Sequence, residues 1–225
     1  MSNLLVQSQI QAPAFNSTVT RSLTFTNTVA GNLLVVNMFA GHATTLSISD
    51  GVNTWNVATS VPNGTNIGSF YTWYAIAVGG TITITLTDNT AGSFTRAAWG
   101  GEWATKSAVL DQAANSGLVT SATQPTPNAT TTHANELVIG EIQANTTANS
   151  VNSVASSGAN TLSGVVLEQS GFIYGFADAL ASSTGTYAMT FTLSTSVSSM
   201  TTIVTFQYTP PAATGGQIGA FEVGP

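Results

Sequence analysis

Carboxylate and imidazole side chains have the most capacity for chemistry in this sequence, and they are few. The chain of 225 residues contains nine Asp and Glu, two His and no Cys. Hydrolysis of a glycosidic bond needs two carboxyl groups that face each other across a cleft. Candidates for such a pair are Glu102, Glu136, Glu141 and Glu168. Their spacing does not mark any two of them as partners, so we assign no catalytic residue.

Other catalytic motifs are missing from the sequence. It contains no G-x-S-x-G elbow, no P-loop and no H-E-x-x-H motif, so esterase, nucleotide-dependent and zincin activities have no support. Without cysteine there is neither a thiolate metal site nor a cysteine nucleophile. We therefore expect a protein that is not an enzyme and that uses no cofactor.

The histidines and the turn aspartates give only a weak indication of metal binding. His42 and His133 lie far apart, although each is close to a similar strand, GNLLVV at 31 or NELVIG at 135. Asp50 in SDGVN and Asp88 in TDNTAG have the oxygen atoms that calcium prefers. Asp is also favoured in turns because its side chain accepts hydrogen bonds from its own backbone. We expect the turn role and no metal site.

Aromatic residues are the better candidates for ligand binding. In FYTWYAIAV at 70 to 78, alternation places Tyr71 and Trp73 on one face of a strand and Phe70 and Tyr74 on the other. An exposed pair of rings stacks on sugars or anchors a partner protein. The binding residues would be Trp55, Tyr71 and Trp73. The alternative is a strand buried on both faces, which holds more aromatic residues for packing alone.

Strands must position these residues, because a period of two dominates the hydrophobic pattern. Thirteen stretches between residues 4 and 208 have this period or a short apolar run, and only 107 to 114 suggest a helical turn. Gly in SDGVN and VGGT predicts hairpin turns. The ladder TITITLTD at 81 to 88 places four Thr on one face and Ile and Leu on the other. We interpret the Thr face as the outer side of a stable sheet, since Thr fits a pleated surface.

Four pairs of segments recur at a spacing of about 105 residues. GNLLVV matches NELVIG, FYTWYAIAV matches FIYGFADAL, TITITLT matches YAMTFTL, and AAWGGEW matches TIVTFQY. The halves, about 29–105 and 133–209, are joined by a linker at about 121–135. They could be two small domains. We favour one pseudo-symmetric antiparallel β-sandwich of jelly-roll type over residues 1–209, with a single interleaved core.

The segment 210–225 differs from both halves. TPPAATGGQ has the composition of a linker, and IGAFEV has the pattern of a strand. A strand behind a linker can pair with a neighbouring subunit. We predict an assembly arm whose apolar residues are Ile218, Phe221 and Val223.

Charge is scarce along the whole chain. Charged residues make up 5%, the net charge is −6, and the basic residues are Arg21, Arg96 and Lys106. Three cations cannot neutralise a phosphate backbone, so nucleic acid and anionic membranes are excluded as partners. Charges commonly protect sheet edges from pairing, so a β protein with almost none favours assembly. The N-terminus lacks the features of a signal peptide, and no run is long enough to span a membrane.

TFTNTVAGNLLVVNM, ISDGVNTWNVA and WYAIAVGGTITITLT together resemble a β-sandwich module of bacterial surface proteins and phage virion proteins. The resemblance covers mainly residues 24–87 and implies structural or adhesive duty with no catalytic motif. We expect a structural subunit of a virion or an extracellular filament, with copies of itself or other structural subunits as partners. The alternative is a carbohydrate-binding module that contacts glycans through its aromatic residues.

Overall fold

The computed structural model describes residues 4–64, 68–105, 109–144, 150–157, 162, 168–169 and 172–208. These residues form β-strands and turns without a helix, and every strand pairing is antiparallel. The prediction of an all-β antiparallel chain is confirmed. Within the same ranges, no helix is long and apolar enough to cross a membrane.

Eight strands build the first half of the chain. They are β1 (Leu5–Asn16), β2 (Thr20–Thr28), β3 (Leu33–Ala40), β4 (Leu46–Ser49), β5 (Asn56–Gly64), β6 (Gly68–Ile76), β7 (Gly80–Asp88) and β8 (Phe94–Trp103). One sheet has the order β1-β8-β3-β6-β5, and a smaller sheet has the order β2-β7-β4.

Seven strands of the described residues build the rest of the chain, which we call the second half. They are β9 (Leu110–Pro125), β10 (Ala129–Thr130), β11 (Glu136–Ala144), β12 (Val151–Ser157), β13 (Glu168–Gln169), β14 (Phe172–Ala181) and β15 (Thr186–Gln207). β9 and β10 cover part of the linker predicted at about 121–135. Their sheet has the order β10-β15-β11-β14-β13, and β9 and β12 also pair with β15. The first part of β15 pairs with β12 and the last part pairs with β11, so this long strand runs through two layers.

Among the described residues, buried hydrophobic side chains form three large layers between these sheets and a small fourth cluster of Phe39, Phe70 and Met200. The first layer joins β2 and β7 to one face of β3, through residues such as Phe25, Ile84 and Val36. The second layer joins the other face of β3 and β8 to β11, β14 and the end of β15. The third joins β11 and β14 to the first part of β15. The sequence predicts one core, whereas the sheets are stacked with a separate core at each contact.

Burial on both faces explains where the hydrophobic pattern loses its alternation. All eight residues of β3 and all nine of β11 are buried, because these strands lie in the two inner sheets. In β7, by contrast, Ile82, Ile84 and Leu86 are buried while Thr81 and Thr83 are exposed. The Thr ladder therefore lies on an outer face, as predicted.

The glycine turns have the predicted backbone conformation but join different sheets. Gly51 has φ +77°, and Gly79 and Gly80 have φ +94° and +85°. The turn at Gly51 leads from β4 to β5, and the turn at Gly79 leads from β6 to β7. Neither pair of strands is hydrogen-bonded. The predicted hairpins are wrong, because these chain reversals pass from one layer to the next.

The helical turn suggested for 107 to 114 is also wrong over its described part. Residues from Leu110 onward belong to β9 and pair with β15, with Leu110 opposite Phe206. Pairing with a long neighbour outweighs the weak helical preference of VLDQAA.

Candidate functional site

The aromatic residues predicted to bind sugars face the first core. Trp73 is 3% exposed, and the half-buried Tyr71 stacks on it with ring centroids 5.3 Å apart. Trp55 is half-buried against the same core. On the other face of β6, Phe70 is buried and Tyr74 packs edge-on against Phe206 at 5.2 Å. Both faces of the strand are covered, as in the alternative interpretation, so the buried ring of Trp73 is not available for stacking on a sugar.

A groove lies beside this strand at the surface. Its volume is about 440 Å³, and its lining includes Tyr74 and the exposed side chains of Val52, Ile76 and Val78. The Asp50 carboxylate holds the turn that carries Val52, because it accepts hydrogen bonds from the backbone N–H of Val52 at 3.0 Å and of Asn53 at 2.8 Å. The predicted turn role of Asp50 is confirmed by these bonds.

The four glutamates considered as a catalytic pair occupy separate environments. Glu102 is buried and accepts hydrogen bonds from Gln7 Nε2 at 2.6 Å, Val29 N at 2.8 Å and Asn32 Nδ2 at 2.7 Å. These bonds hold the segment before β3 against the end of β8. The side chain of Glu168 lies outside the described residues. Glu141 and Glu136 belong to two further clusters.

Glu141 lies at the centre of the contact between the two halves. Its Oε2 accepts hydrogen bonds from Thr72 Oγ1 at 2.6 Å and Asn37 Nδ2 at 3.3 Å, and also from Thr202 Oγ1. All four side chains are buried. Burial raises the pKa of Glu141 to about 7, although the three donors act in the opposite direction. Because its donors come from strands of both halves, we interpret this buried cluster as a polar link between them.

Asp88 and Arg96 form a buried ion pair within the first half. Arg96 Nε donates to Asp88 Oδ2 at 2.6 Å, and both side chains are fully buried. The guanidinium also donates to the backbone carbonyls of Asn16 at 2.9 Å and Thr90 at 3.0 Å. His42 lies 3.3 Å from the carboxylate and stacks on Phe94. Burial lowers the pKa of His42 more than the neighbouring Asp88 carboxylate raises it.

Sequence reasoning missed one cluster, which consists of Asp111, His133 and Glu136. One ligand atom from each lies within 4.8 Å of the others. Burial, together with the neighbouring Asp111 carboxylate, raises the pKa of Glu136 to about 7. His133 was compared with His42, but the two histidines lie in different clusters. The spacing H-A-N-E at 133 to 136 was visible, whereas Asp111 is brought there only by the pairing of β9 with β15.

The outer face of the small sheet is built from hydroxyl residues. The alternation of the strands directs ten Ser and Thr side chains outward. The pairing of β2 with β7 sets them opposite one another, with Thr24 opposite Thr83 and Ser22 opposite Thr85. The ten are Thr20, Ser22, Thr24, Thr26, Ser47, Ser49, Thr81, Thr83, Thr85 and Thr87. The hydroxyls of Thr24 and Thr83 lie 3.1 Å apart. We call this surface, which carries no charged residue, the hydroxyl face.

A similar surface covers the other end of the stack. The first part of β15 directs Thr186, Thr190 and Thr192 away from the third core, while Tyr187, Met189 and Phe191 are buried in it. Thr192 is opposite Thr123 of β9 and Ser153 of β12. The stack therefore ends in a neutral hydroxyl surface on both sides.

The predicted assembly arm, with Ile218, Phe221 and Val223, lies outside the described residues, as does Lys106. The last described residue, Tyr208, packs against the second core. Compared with models of protein families, with curated proteins and with solved structures, this chain matches none of them.

Proposed function

We propose that this protein is a non-enzymatic structural subunit that assembles with copies of itself or with other structural subunits, in a virion or an extracellular filament. The hydroxyl face carries this proposal. Removing an ion from water is costly unless a partner compensates for it, whereas a hydroxyl exchanges a hydrogen bond with water for one with a neighbour. Natural sheets commonly carry charges that oppose such contacts. An ordered array of ten hydroxyls without a charge suits repeated contact between subunits.

The strand order supports a jelly roll within the first half. In a jelly roll, an eight-stranded chain doubles back on itself, so that first and eighth, second and seventh, and third and sixth strands pair. The pairs β1–β8, β2–β7 and β3–β6 follow this scheme. β5 departs from it, because it pairs with β6 rather than with β4. Viral capsid and lectin domains use this fold, which is consistent with the proposal by analogy of fold alone.

The second half follows the same order, which supports a repeated unit. Its inner strands run β9-β15-β11-β14-β13, where the first half has β1-β8-β3-β6-β5. Leu33 of β3 is opposite Ile76 and Trp103, and Leu137 of β11 is opposite Leu180 and Phe206. By this alignment Asn37 corresponds to Glu141, and these two residues, 104 positions apart, contact each other. We infer that the halves are pseudo-repeats packed back to back.

Back-to-back packing of the halves places one hydroxyl surface on each outer side of the stacked sheets. A subunit with two opposite contact surfaces can extend an assembly in both directions, whereas a single self-complementary surface closes into a dimer. Such a subunit suits a filament or a lattice. The arm at 210–225 would add a strand to an edge of a neighbouring subunit. Deleting residues 210–225 should therefore weaken assembly without altering the fold of residues 4–208.

Introducing a charge on the hydroxyl face tests the proposal. We expect Thr83→Lys to reduce the assembled fraction at least tenfold, because the ammonium group would have to lose its hydration in the contact. Light scattering and negative-stain imaging of the purified chain would measure the mass and shape of the particles. Asn89→Lys is the matched control, since it adds the same charge at an exposed turn beside the face.

Either of two results would reject this assignment. A wild-type chain that stays monomeric at high concentration would remove the proposed assembly altogether. Equal assembly of the Thr83 and Asn89 variants would show that the contact lies elsewhere. Circular dichroism on both variants would establish that the added lysine leaves the fold intact.

A further inference from the structure

Asp111, His133 and Glu136 converge at one end of the inner sheet of the second half. Asp111 is near the start of β9, Glu136 begins β11, and His133 lies in the segment that precedes it. His133 Nδ1 is 3.7 Å from Glu136 Oε1 and 3.9 Å from Asp111 Oδ1. Gln207, at the end of β15, lies between the two strands and places its amide against the imidazole, with Nε2 3.0 Å from Nδ1.

The cluster has an excess of negative charge. Among the described residues, neither Asp111 nor Glu136 forms an ion pair with a lysine or an arginine, and the acids have only His133 as a basic neighbour. Glu136 is completely buried. Its Oε1 accepts a hydrogen bond from the backbone N–H of His133 at 3.3 Å, whereas its Oε2 has no hydrogen-bond partner within the described structure. A buried carboxylate oxygen without a donor costs free energy unless a cation or a proton compensates for it. This unsatisfied oxygen, in a site with two acids, is the observation that points to a ligand.

We propose that Asp111, His133 and Glu136 bind a divalent transition-metal ion of the zinc class. Two carboxylates alone would also suit calcium or magnesium, but an imidazole ligand favours zinc and its neighbours in the first transition series. Three protein ligands leave at least one coordination position open. His133, with 54% of its side chain exposed, directs that position toward solvent.

The distances fit this ion after a small adjustment. Bonds of about 2.0–2.1 Å to nitrogen and oxygen, arranged tetrahedrally, separate the ligand atoms by about 3.4 Å. The observed separations of 3.7 and 3.9 Å exceed this value slightly. The exposed imidazole can close the difference by rotating about its own side-chain bonds. The ligand oxygens of the two carboxylates lie within 4.8 Å of each other.

Neighbouring groups already orient the Asp111 carboxylate. Thr132 donates to it twice, from its backbone N–H at 2.6 Å to Oδ2 and from its hydroxyl at 2.5 Å to Oδ1. Hydrogen bonds of this kind fix ligand orientation in metal sites. The Thr132 hydroxyl is also 2.9 Å from His133 Nδ1, so it lies against the ring nitrogen that would bind the metal.

Isothermal titration of the full untagged chain, stripped with EDTA and desalted, tests the site. We expect one Zn²⁺ to bind per chain, and His133→Ala and Asp111→Asn each to weaken binding by at least tenfold. The matched controls are His42→Ala and Asp50→Asn, which remove a histidine and an aspartate outside the cluster. Both controls should bind as the wild type does. Excess Zn²⁺ should raise the melting temperature of the wild type by about 5 °C or more at 100 times Kd.

A second readout follows the ligands directly. Co²⁺ added to the wild-type chain should give a visible absorption band that is lost in His133→Ala. Absence of saturable Zn²⁺ binding would overturn the proposal, as would full retention of binding in both cluster variants. Equal or tighter binding of Ca²⁺ would overturn the assignment to the zinc class. Since His133 is exposed, its replacement should not unfold the chain, and circular dichroism would verify this.

Discussion

Replacing Arg96 with Met should lower the free energy of unfolding by about 3–5 kcal/mol, which is the usual cost of breaking a buried ion pair by removing one partner. The Asp88 carboxylate would keep its bonds from Thr44 Oγ1 at 2.8 Å and Thr90 N at 2.9 Å but would lose its cation. Backbone carbonyls that accept from the guanidinium, including that of Asn16, would lose a donor as well. Urea denaturation, monitored by tryptophan fluorescence, would measure the change.

The second buried arginine provides the control for this prediction. Arg21 donates to the carbonyls of Arg96 and Ala14, both at 3.1 Å, and forms no ion pair with a described acid. Arg21→Met should therefore cost less, about 2 kcal/mol. The double variant Arg96→Met/Asp88→Asn should be more stable than Arg96→Met, because it also removes the buried Asp88 charge that has lost its partner. An equal loss of unfolding free energy in Arg21→Met and Arg96→Met would contradict the conclusion that the ion pair makes Arg96 the more important residue.

Replacing Glu141 with Leu should lower the free energy of unfolding by about 3 kcal/mol or more, because three buried donors would lose their acceptor and each unsatisfied group costs about 1–3 kcal/mol. The donors are Asn37, Thr72 and Thr202, from strands of both halves. Leu is close to Glu in size, so a cavity contributes little. Denaturation by urea would give the change, and a variant as stable as the wild type would show that the polar link is dispensable.

Glu141 should also make stability depend on pH. Burial raises its pKa from 4.5 in the unfolded chain to about 7 in the folded protein, so the folded state holds the proton more tightly. The contribution of Glu141 is therefore fully present below pH 4.5 and is lost as the pH rises to about 7, with a total change of about 3 kcal/mol. Glu141→Gln should make the free energy of unfolding change less steeply with pH between pH 4.5 and about 7. Urea midpoints from pH 4.5 to 8, in EDTA, would measure it, and identical slopes would contradict the shift.

Alternation predicted the outer strands well, since each of their side chains faces either a core or solvent. In β7, the chemistry of Thr83 and Ile84 already indicates which face is which. Alternation failed where both faces are covered. Tyr71 and Trp73 could have been on a surface or in a core, and only the position of the small sheet over β6 decides between these environments.

The proposed repeat is aligned differently by strand partners than by sequence alone. Matching the two aromatic segments paired Tyr71 with Tyr174, a spacing of 103, whereas the strand partners of Leu33 and Leu137 set a spacing of 104. A slip of one residue moves a side chain to the opposite face of a sheet. Accordingly Tyr71 contacts the first core, while Tyr174 is buried in the second.

The site of Asp111, His133 and Glu136 could not be found by spacing, because its geometry depends on which strands are neighbours. β15 pairs with β9 on one side and with β11 on the other, and this arrangement brings Asp111 close to Glu136. The sequence shows His133 and Glu136 three positions apart, but this spacing is common without a metal. Only the order of the sheet adds the third ligand.

The placement of β15 has a consequence for synthesis on the ribosome. All eight described strands of the first half have been translated once Trp103 is added, so its two sheets can form and pack while the rest of the chain is being made. The sheet of the second half cannot be completed until β15 has been synthesised, because β15 is its last described strand and pairs with β9, β10, β11 and β12. During that interval Leu33, Val35 and Trp99 lack their cover from β11 and β14. During synthesis this part of the first half therefore remains an uncovered apolar surface until β11 and β14 pack on it.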